Sequence, residues 1–298
     1  MSTHSRISIG GDLEVGRIGY GAMRLTGPGL WGEYPDEQAG VAVLRGAVDA
    51  GVTLIDTADV YGPHTNELLI RRALHPYPPE LVIATKGGFV RGAPDLSSIA
   101  AIGNPQYLHQ SVRLSARRLA VDCIDLYYLH SGRATDATFA DQVAALADMR
   151  QQGLIRHIGL SNVSVEQLDQ ACEITDIAAV TAHFNIAARE QAPLLDAAGQ
   201  AGAVFVPWQP VSLTRPGAPT DAHGDARTHS VLAPVAEHHN ATIPQIALAW
   251  LLARAPHILP VPATTDLGHL RTNMSALDLA LTAGELAALD ALPAAGLP

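Results

Sequence analysis

The chain has 298 residues, of which 48% are hydrophobic, and its formal net charge of −10 at pH 7 accompanies a pI near 5.6. This length and apolar content support a large buried core, and an acidic chain without a basic cluster is not expected to bind nucleic acid or an anionic membrane. The longest apolar run, Ile246–Ala253, is too short to span a bilayer, and the unpatterned cysteines Cys123 and Cys172 fit a reducing compartment. We therefore expect a cytoplasmic protein, a monomer or homo-oligomer, that acts on a small molecule.

Apolar runs of strand length alternate with segments of helical periodicity. The leader Ile7–Val15 alternates around Gly10 and Gly11, which predicts a β-hairpin ahead of the first strand. Eight continuous apolar runs predict strands at Ile18–Met23, Thr53–Ala58, Leu81–Thr85, Cys123–Leu129, Ile155–Leu160, Ala178–Phe184, Ala203–Trp208 and Ile258–Val261. Helices are predicted between them, among others at Val41–Ala50, Tyr107–Leu119 and Val165–Cys172. Strands that are apolar on both faces indicate a parallel sheet covered by helices, so residues 1–298 are predicted to form one α/β domain, a (β/α)8 TIM barrel plugged at its amino-terminal end by the hairpin.

One long loop is predicted after the seventh strand, at Thr214–Thr228, where proline, glycine, aspartate, histidine and arginine are frequent. Long loops at this end of a barrel tend to cover ligands. Metal-capable side chains occur there and just beyond, at Asp221, His223, Asp225 and His229. We interpret them as a polar loop and His238-His239 as the end of a helix, so no metal site is predicted.

Four polar residues stand at or just beyond consecutive strand ends, where a barrel builds its active site. Asp56 and Tyr61 follow the second strand, Lys86 the third and His130 the fourth, and Lys86 is the only lysine in the chain. A tyrosine that donates a proton at neutral pH needs a group that lowers its pKa, because its ordinary pKa is about 10. Lys86 is predicted to lower that pKa and Asp56 to hold Lys86. His130 is predicted to orient a carbonyl oxygen or to assist the proton transfer. The set predicts reduction of a carbonyl by a hydride and a proton.

The residues around these positions resemble the aldo-keto reductase family. The similarity lies in Asp56–Gly62, in the strand-end Lys86 and in Asp125–His130, and it continues through Gly153–Asn162 and Val261–Thr265. It covers nearly the whole chain. The resemblance implies interconversion of an aldehyde or ketone and its alcohol, with tyrosine as the proton donor and NADP(H) favoured over NAD(H) as cofactor.

Loop sequences are most similar to the pyridoxal-reducing members of that family, at Gly19–Met23, Thr26–Gly29, Tyr61–His64 and Asn185–Ala187. This implies an aldehyde substrate such as pyridoxal. Two alternatives stay open: a tailoring reductase for a specialised metabolite or sugar, and a nucleotide-sensing or interaction protein with little turnover. The loops after the first three strands are predicted to line the substrate pocket through Trp31, His64 and Phe89. Few basic residues lie there, which disfavours a strongly anionic substrate unless Arg24, Arg91, Arg215 or Arg227 turns inward.

The resemblance also assigns the cofactor site. Ser161 and Asn162 would bind the nicotinamide carboxamide, and Trp208, followed by Gln209, would stack on the ring. Thr181 stands where the family usually has a glutamine, so one amide contact is expected to be missing. The adenosine end is assigned to Thr264, Thr265, His269, Arg271 and Asn273. Basic residues that often meet the 2′-phosphate are replaced there, yet Arg271, the threonine hydroxyls and a helix N-terminus keep NADP(H) the predicted cofactor.

Overall fold

The computed structural model describes residues 6–213 and 226–292. Within them, a central sheet holds seven parallel strands that neighbour one another in chain order. We number them β1 (Tyr20–Gly21), β2 (Leu54–Asp56), β3 (Val82–Gly87), β4 (Ile124–Leu129), β5 (Ile155–Ser161), β6 (Ala179–His183) and β7 (Val204–Trp208). All seven lie inside or within two residues of predicted strands, and they confirm the predicted parallel barrel.

The predicted eighth strand, Ile258–Val261, closes the barrel without being a regular strand. On the β7 side, the N–H of Leu259 donates to the carbonyl of Phe205 at 2.9 Å. On the β1 side, two proline carbonyls accept from glycine N–H groups, Pro260 from Gly19 at 3.0 Å and Pro262 from Gly21 at 3.1 Å. Proline has no N–H to return, so this edge is bonded in one direction only. The closing position was predicted correctly, whereas its strand character was not.

The predicted amino-terminal hairpin is confirmed. Its strands, Arg6–Ile9 and Leu13–Gly16, pair antiparallel across a turn in which Gly10 and Gly11 have φ of +62° and +86°. Glycine adopts these angles without strain. The buried hairpin residues Ile9, Leu13 and Val15 pack in one cluster with inward-facing barrel side chains such as Leu54 and Val82. They fill the end of the barrel where the strands begin.

Helices cover the outside of the sheet, and side-chain caps fix where several of them begin. They are α1 (Glu37–Asp49), α2 (Thr65–Leu74), α3 (Pro105–Leu119), α4 (Phe139–Gln151), α5 (Val165–Ile174), α6 (Ala192–Gln200), α7 (Ala226–His238), α8 (Ile243–Arg254), α9 (Leu267–Met274) and α10 (Ala283–Asp290). Asp36 accepts from the N–H of Ala39, so α1 begins four residues before its predicted start. Asn104 caps α3 in the same way, with a proline in its first turn.

Two further features were not predicted. A short antiparallel hairpin, Phe89–Arg91 with Ile99–Ala101, follows β3 and stands beside the barrel mouth. Helix α7 begins at Ala226, inside the predicted loop, and residues 214–225 of that loop, with Asp221, His223 and Asp225, lie outside the described residues. Among the helices that are described, none has the length and apolar character needed to cross a membrane.

Candidate active site

A buried ion pair forms the base of the site. Lys86, in β3, donates from Nζ to Asp56 Oδ1 in a short contact and to the carbonyl of Thr57 at 2.8 Å. The side chains of Lys86 and Asp56 are 5% and 10% exposed. Burial raises the pKa of Asp56 and the ammonium opposes that rise. The predicted role of Asp56 in holding Lys86 matches this geometry.

Tyr61 lies above this pair in the loop after β2. Lys86 Nζ is 5.6 Å from the centroid of its ring, and within the described residues its hydroxyl makes no hydrogen bond. Burial raises the pKa of the phenol above 10, and the charges of Asp56 and Asp59 raise it further. The net shift is therefore upward, opposite to the lowering that was predicted from Lys86. Tyr61 keeps its proton at neutral pH, as a proton donor must.

His130 follows β4 and completes the group. Its ring centroid is 6.1 Å from that of Tyr61 and 4.6 Å from that of Phe89. Burial holds the pKa of His130 well below its ordinary value of 6.5, and the nearby Lys86 ammonium lowers it further. The imidazole is therefore neutral at pH 7 and can donate a hydrogen bond to an oxygen without carrying charge.

Asn66 fixes the loop that follows Asp56 and carries Tyr61. This amide, fully buried in α2, accepts from the Thr57 hydroxyl at 2.6 Å and donates to the carbonyls of Ala22 and Leu25 at 2.9 and 2.7 Å. One side chain thus ties the loop after β2 to the loop after β1. A buried, fully bonded amide of this kind specifies one arrangement of the backbone.

A cavity of about 690 Å³ opens where the barrel strands end. Asp56, Tyr61, Lys86 and His130 all line it, so the structure brings the four predicted residues together. Its volume is within the range of small-molecule sites. Part of its wall is apolar, formed by Met23, Leu30, Val60, Phe89 and Ile99.

The opposite wall carries a hydrogen-bonded row at the ends of β5 and β7. Asn162 Nδ2 donates to Ser161 Oγ at 2.9 Å, and Trp208 Nε1 donates to Asn162 Oδ1 at 3.2 Å. Asn162 has φ +53°, in the left-handed region that asparagine tolerates better than most residues. The row offers a hydroxyl, an amide and an indole face, which are groups that suit a flat ring bearing a carboxamide.

Gln209 and Thr181 stand next to this row and also line the cavity. Gln209 Oε1 lies 3.1 Å from His183 Nε2. Thr181 is the register partner of Ser161, and its hydroxyl donates to the carbonyl of Val206 at 2.7 Å. With its hydrogen committed, Thr181 offers the cavity only lone pairs, whereas a glutamine would also offer an N–H.

The residues predicted for the adenosine end lie on or just before α9, and none lines this cavity: Thr264, Thr265, His269, Arg271 and Asn273. Arg271 and His269 are exposed, and Asn273 and Thr264 are buried. Asp266 caps α9 by accepting from the His269 N–H at 2.7 Å. The helix N-terminus offered to a phosphate in the sequence analysis therefore already has a carboxylate partner.

Of the three residues predicted to line the substrate pocket, the cavity includes Phe89 and omits Trp31 and His64. Trp31 packs under the guanidinium of Arg91, which is 5.2 Å from its ring centroid. His64 is exposed and precedes α2 with φ +72°. The assignment of Trp31 and His64 to substrate therefore has no support from the cavity wall.

The sequence left open whether Arg24 or Arg91 turns inward, and both arginines line the cavity. His229, Ile243 and Pro244 also line it, from α7 and the first turn of α8. No local pattern marks these three, since helix packing late in the chain brings them to the mouth.

A protonated phenol, a buried lysine–aspartate pair and a neutral imidazole around one cavity at a barrel mouth define a class of protein, an acid–base enzyme built on a (β/α)8 barrel. Comparison with known proteins identifies the family within that class.

Residues 17–294 match the aldo/keto reductase family. The pyridoxine 4-dehydrogenase of Escherichia coli is 39% identical over 287 residues, which are 95% of this chain and 96% of that protein. An uncharacterized oxidoreductase of Schizosaccharomyces pombe is 39% identical over 94% of this chain and 87% of its own length. The crystal structure of an aldo/keto reductase from Klebsiella pneumoniae in complex with NADP and acetate has a TM-score of 0.79 at 27% identity, over 97% of this chain and 95% of that chain. The chain therefore belongs to the aldo/keto reductase family, an oxidoreductase family, as its sequence predicted.

Proposed function

We propose that the protein is an NADP(H)-dependent carbonyl reductase that interconverts an aldehyde and its alcohol. The observation that carries the proposal is the convergence of a protonated Tyr61, the Lys86–Asp56 pair and a neutral His130 on one cavity. A carbonyl oxygen gains a proton as hydride reaches its carbon. The cavity offers that oxygen one proton donor and one hydrogen-bond donor, and it places one cation beside the tyrosine that gives up the proton.

NADP(H) fits the donor set of the opposite wall, and when bound it supplies or accepts the hydride. Ser161 and Asn162 would hold the carboxamide, and the indole of Trp208 would stack on the nicotinamide ring. Arg271, exposed on α9, is the basic residue for the 2′-phosphate. The same cofactor is bound in the Klebsiella relative.

Residues of this chain then act on the carbonyl oxygen of the substrate. His130 donates a hydrogen bond that orients it, and Tyr61 donates the proton. The phenolate left behind faces Lys86 Nζ, which is fixed by Asp56 and the Thr57 carbonyl. Because the phenol is protonated at rest, the ammonium acts as proton transfer proceeds, which is where stabilisation raises the rate.

The substrate we propose is an aromatic aldehyde such as pyridoxal. The E. coli relative is a pyridoxine 4-dehydrogenase, and the apolar wall with Phe89 can pack against an aromatic ring. A tailoring reductase would instead prefer a bulkier ketone or sugar, and a nucleotide sensor would bind NADPH without turnover.

The test follows NADPH oxidation at the absorbance band of the reduced nicotinamide, with pyridoxal, aromatic aldehydes, ketosugars and quinones. We expect turnover of pyridoxal, and a loss of about 10²-fold or more in Tyr61→Phe, the lower end of what one acid catalyst contributes. NADPH binding, measured by fluorescence, should be kept. Turnover that survives in Tyr61→Phe would refute the assigned proton donor, and binding without turnover of any substrate would favour the sensor.

A further inference from the structure

Two histidines and a glutamate meet on the surface where the end of α7 contacts the start of α10. His238 Nδ1 lies 2.7 Å from Glu285 Oε1, and His239 Nε2 lies 3.1 Å from the same oxygen. One nitrogen or oxygen atom from each residue lies within 4.8 Å of the other two. None of the three lines the cavity of the candidate active site. The group is thus separate from the carbonyl chemistry.

The two oxygens of Glu285 share one partner and differ in the other, because His239 Nε2 lies 3.1 Å from both. Oε2 also accepts from the Thr282 N–H at 2.7 Å and from its hydroxyl at 2.8 Å, which closes a capping box at the start of α10. Among the described residues, Oε1 contacts only the two imidazoles. The cap therefore fixes the carboxylate while Oε1 is presented to both rings, as a preorganised ligand atom would be.

The distances from Glu285 Oε1 to the two imidazole nitrogens, 2.7 and 3.1 Å, are close to the spacing in a tetrahedral zinc site, and the two nitrogens lie within 4.8 Å of each other. Zinc binds imidazole nitrogen and carboxylate oxygen at about 2.0–2.2 Å, so neighbouring ligand atoms of a tetrahedron lie about 3.3 Å apart. Small side-chain shifts convert the observed hydrogen bonds to that spacing, and His238, with its side chain 68% exposed, is free to make them. A water molecule can take the fourth position on the solvent side.

We propose that His238, His239 and Glu285 form a binding site for a divalent transition-metal ion, with Zn²⁺ the best match. Two imidazoles and one carboxylate favour Zn²⁺ over Mg²⁺ or Ca²⁺, which take oxygen ligands. On binding, the hydrogen on each coordinating nitrogen leaves it: a neutral ring moves it to its other nitrogen, and a charged ring releases it to solvent. Both lone pairs then coordinate the ion.

The site joins α7 to α10 and is not needed to hold α10 in place. At its other end, α10 is bound by Arg189, which donates to the carbonyls of Leu289 and Asp290, and by Trp250, which donates to Asp290 Oδ1 at 2.8 Å. The metal therefore adds stability by mass action, and carbonyl reduction does not depend on it. Only the adjacent histidines stand out in the sequence, because Glu285 lies 46 residues beyond His239.

The test uses tag-free, full-length protein in which the exposed cysteines Cys123 and Cys172 are replaced by serine, so that thiolates do not compete for the metal. Zn²⁺ is titrated by calorimetry, and Co²⁺ by the visible absorption of a four-coordinate ion. We expect one ion per chain and a melting temperature that rises with added Zn²⁺.

Three variants locate the site. Glu285→Gln keeps a residue that can complete the capping box but removes the charged ligand, and His238→Asn changes an exposed side chain. Each should weaken Zn²⁺ binding by about tenfold or more, since even outer-shell partners of metal ligands are worth that much. His109→Asn is the matched control, because His109 also faces a carboxylate, Asp148, at 3.2 Å. The proposal is overturned if the parent protein shows no saturable Zn²⁺ binding. It is also overturned if Zn²⁺ binding is unchanged in Glu285→Gln and His238→Asn.

Discussion

Replacing Lys86 by methionine separates its structural role from its catalytic one. The variant keeps the apolar stem and removes the ammonium, which leaves Asp56 without a cation in a site where its side chain is 10% exposed. Breaking a buried pair from one side costs about 3–5 kcal/mol, because the remaining charge is uncompensated. The Thr57 carbonyl also loses its donor at 2.8 Å. We expect the free energy of unfolding at pH 7 to fall by about that amount.

The double variant Lys86→Met with Asp56→Leu tests the cause of that loss. Removing both partners leaves no buried charge, and such replacements are often close to neutral. Most of the lost stability should therefore return, while turnover stays lost because the ammonium beside Tyr61 is still missing. The single variants and the double variant form a cycle whose coupling energy can be measured by urea unfolding.

Acid should also restore part of the stability of Lys86→Met. Burial raises the pKa of Asp56, and without Lys86 nothing offsets that rise. The folded carboxyl then binds its proton more tightly than the unfolded one, so stability falls as pH rises from about 4 and is recovered as pH falls. A single variant that loses less than about 1 kcal/mol, or a double variant that loses the sum of the singles, would refute the coupled pair.

Three other changes have defined outcomes. Burial holds the pKa of His130 well below 6.5, so unfolding takes up a proton below pH 6.5 and stability declines as the pH falls. This decline should be weaker in His130→Gln, as measured by urea unfolding from pH 5 to 8. Arg91→Met removes the donors to the carbonyls of Gly29 and Leu30, which lie at 2.6 and 2.7 Å. The KM for the aldehyde should therefore rise while the affinity for NADPH is kept, and Arg91→Lys should not restore the KM. Thr181→Gln should tighten NADPH binding by up to about fivefold, equivalent to one added hydrogen bond of about 1 kcal/mol, as measured by fluorescence titration.

The candidate catalytic group could be predicted because it depends on one geometric rule. Strand ends of a parallel barrel meet at one edge, so Asp56, Lys86 and His130 had to converge once the strands were recognised. The protonation states could not be predicted in the same way. They follow from burial and from the nearby charges. At Tyr61, burial together with the charges of Asp56 and Asp59 raised the pKa that Lys86 was expected to lower.

The wall of the cavity shows the opposite case. Phe89 was found because it follows a strand, whereas Ile243 and Pro244 belong to a helix that is apolar on nearly all sides, like any buried helix. Their position depends on how α8 packs after the barrel closes. Substrate preference, which this wall sets, is therefore less readable from sequence than the reaction itself.

Barrel closure could be predicted in its position and could not be predicted in its hydrogen bonding. The segment around Pro260 and Pro262 reads as a strand because its residues are apolar, yet proline can only accept in the ladder. Hydrogen bonds from one side are enough to close the barrel because Gly19 and Gly21 supply the donors. The backbones also approach closely, since a Cβ at Gly21 would lie 2.7 Å from the Val261 carbonyl oxygen. Gly19 and Gly21 thus match the prolines opposite them. The close approach of the two segments needs residues without side chains on one of them, and the prolines on the other explain why the hydrogen bonds run in one direction.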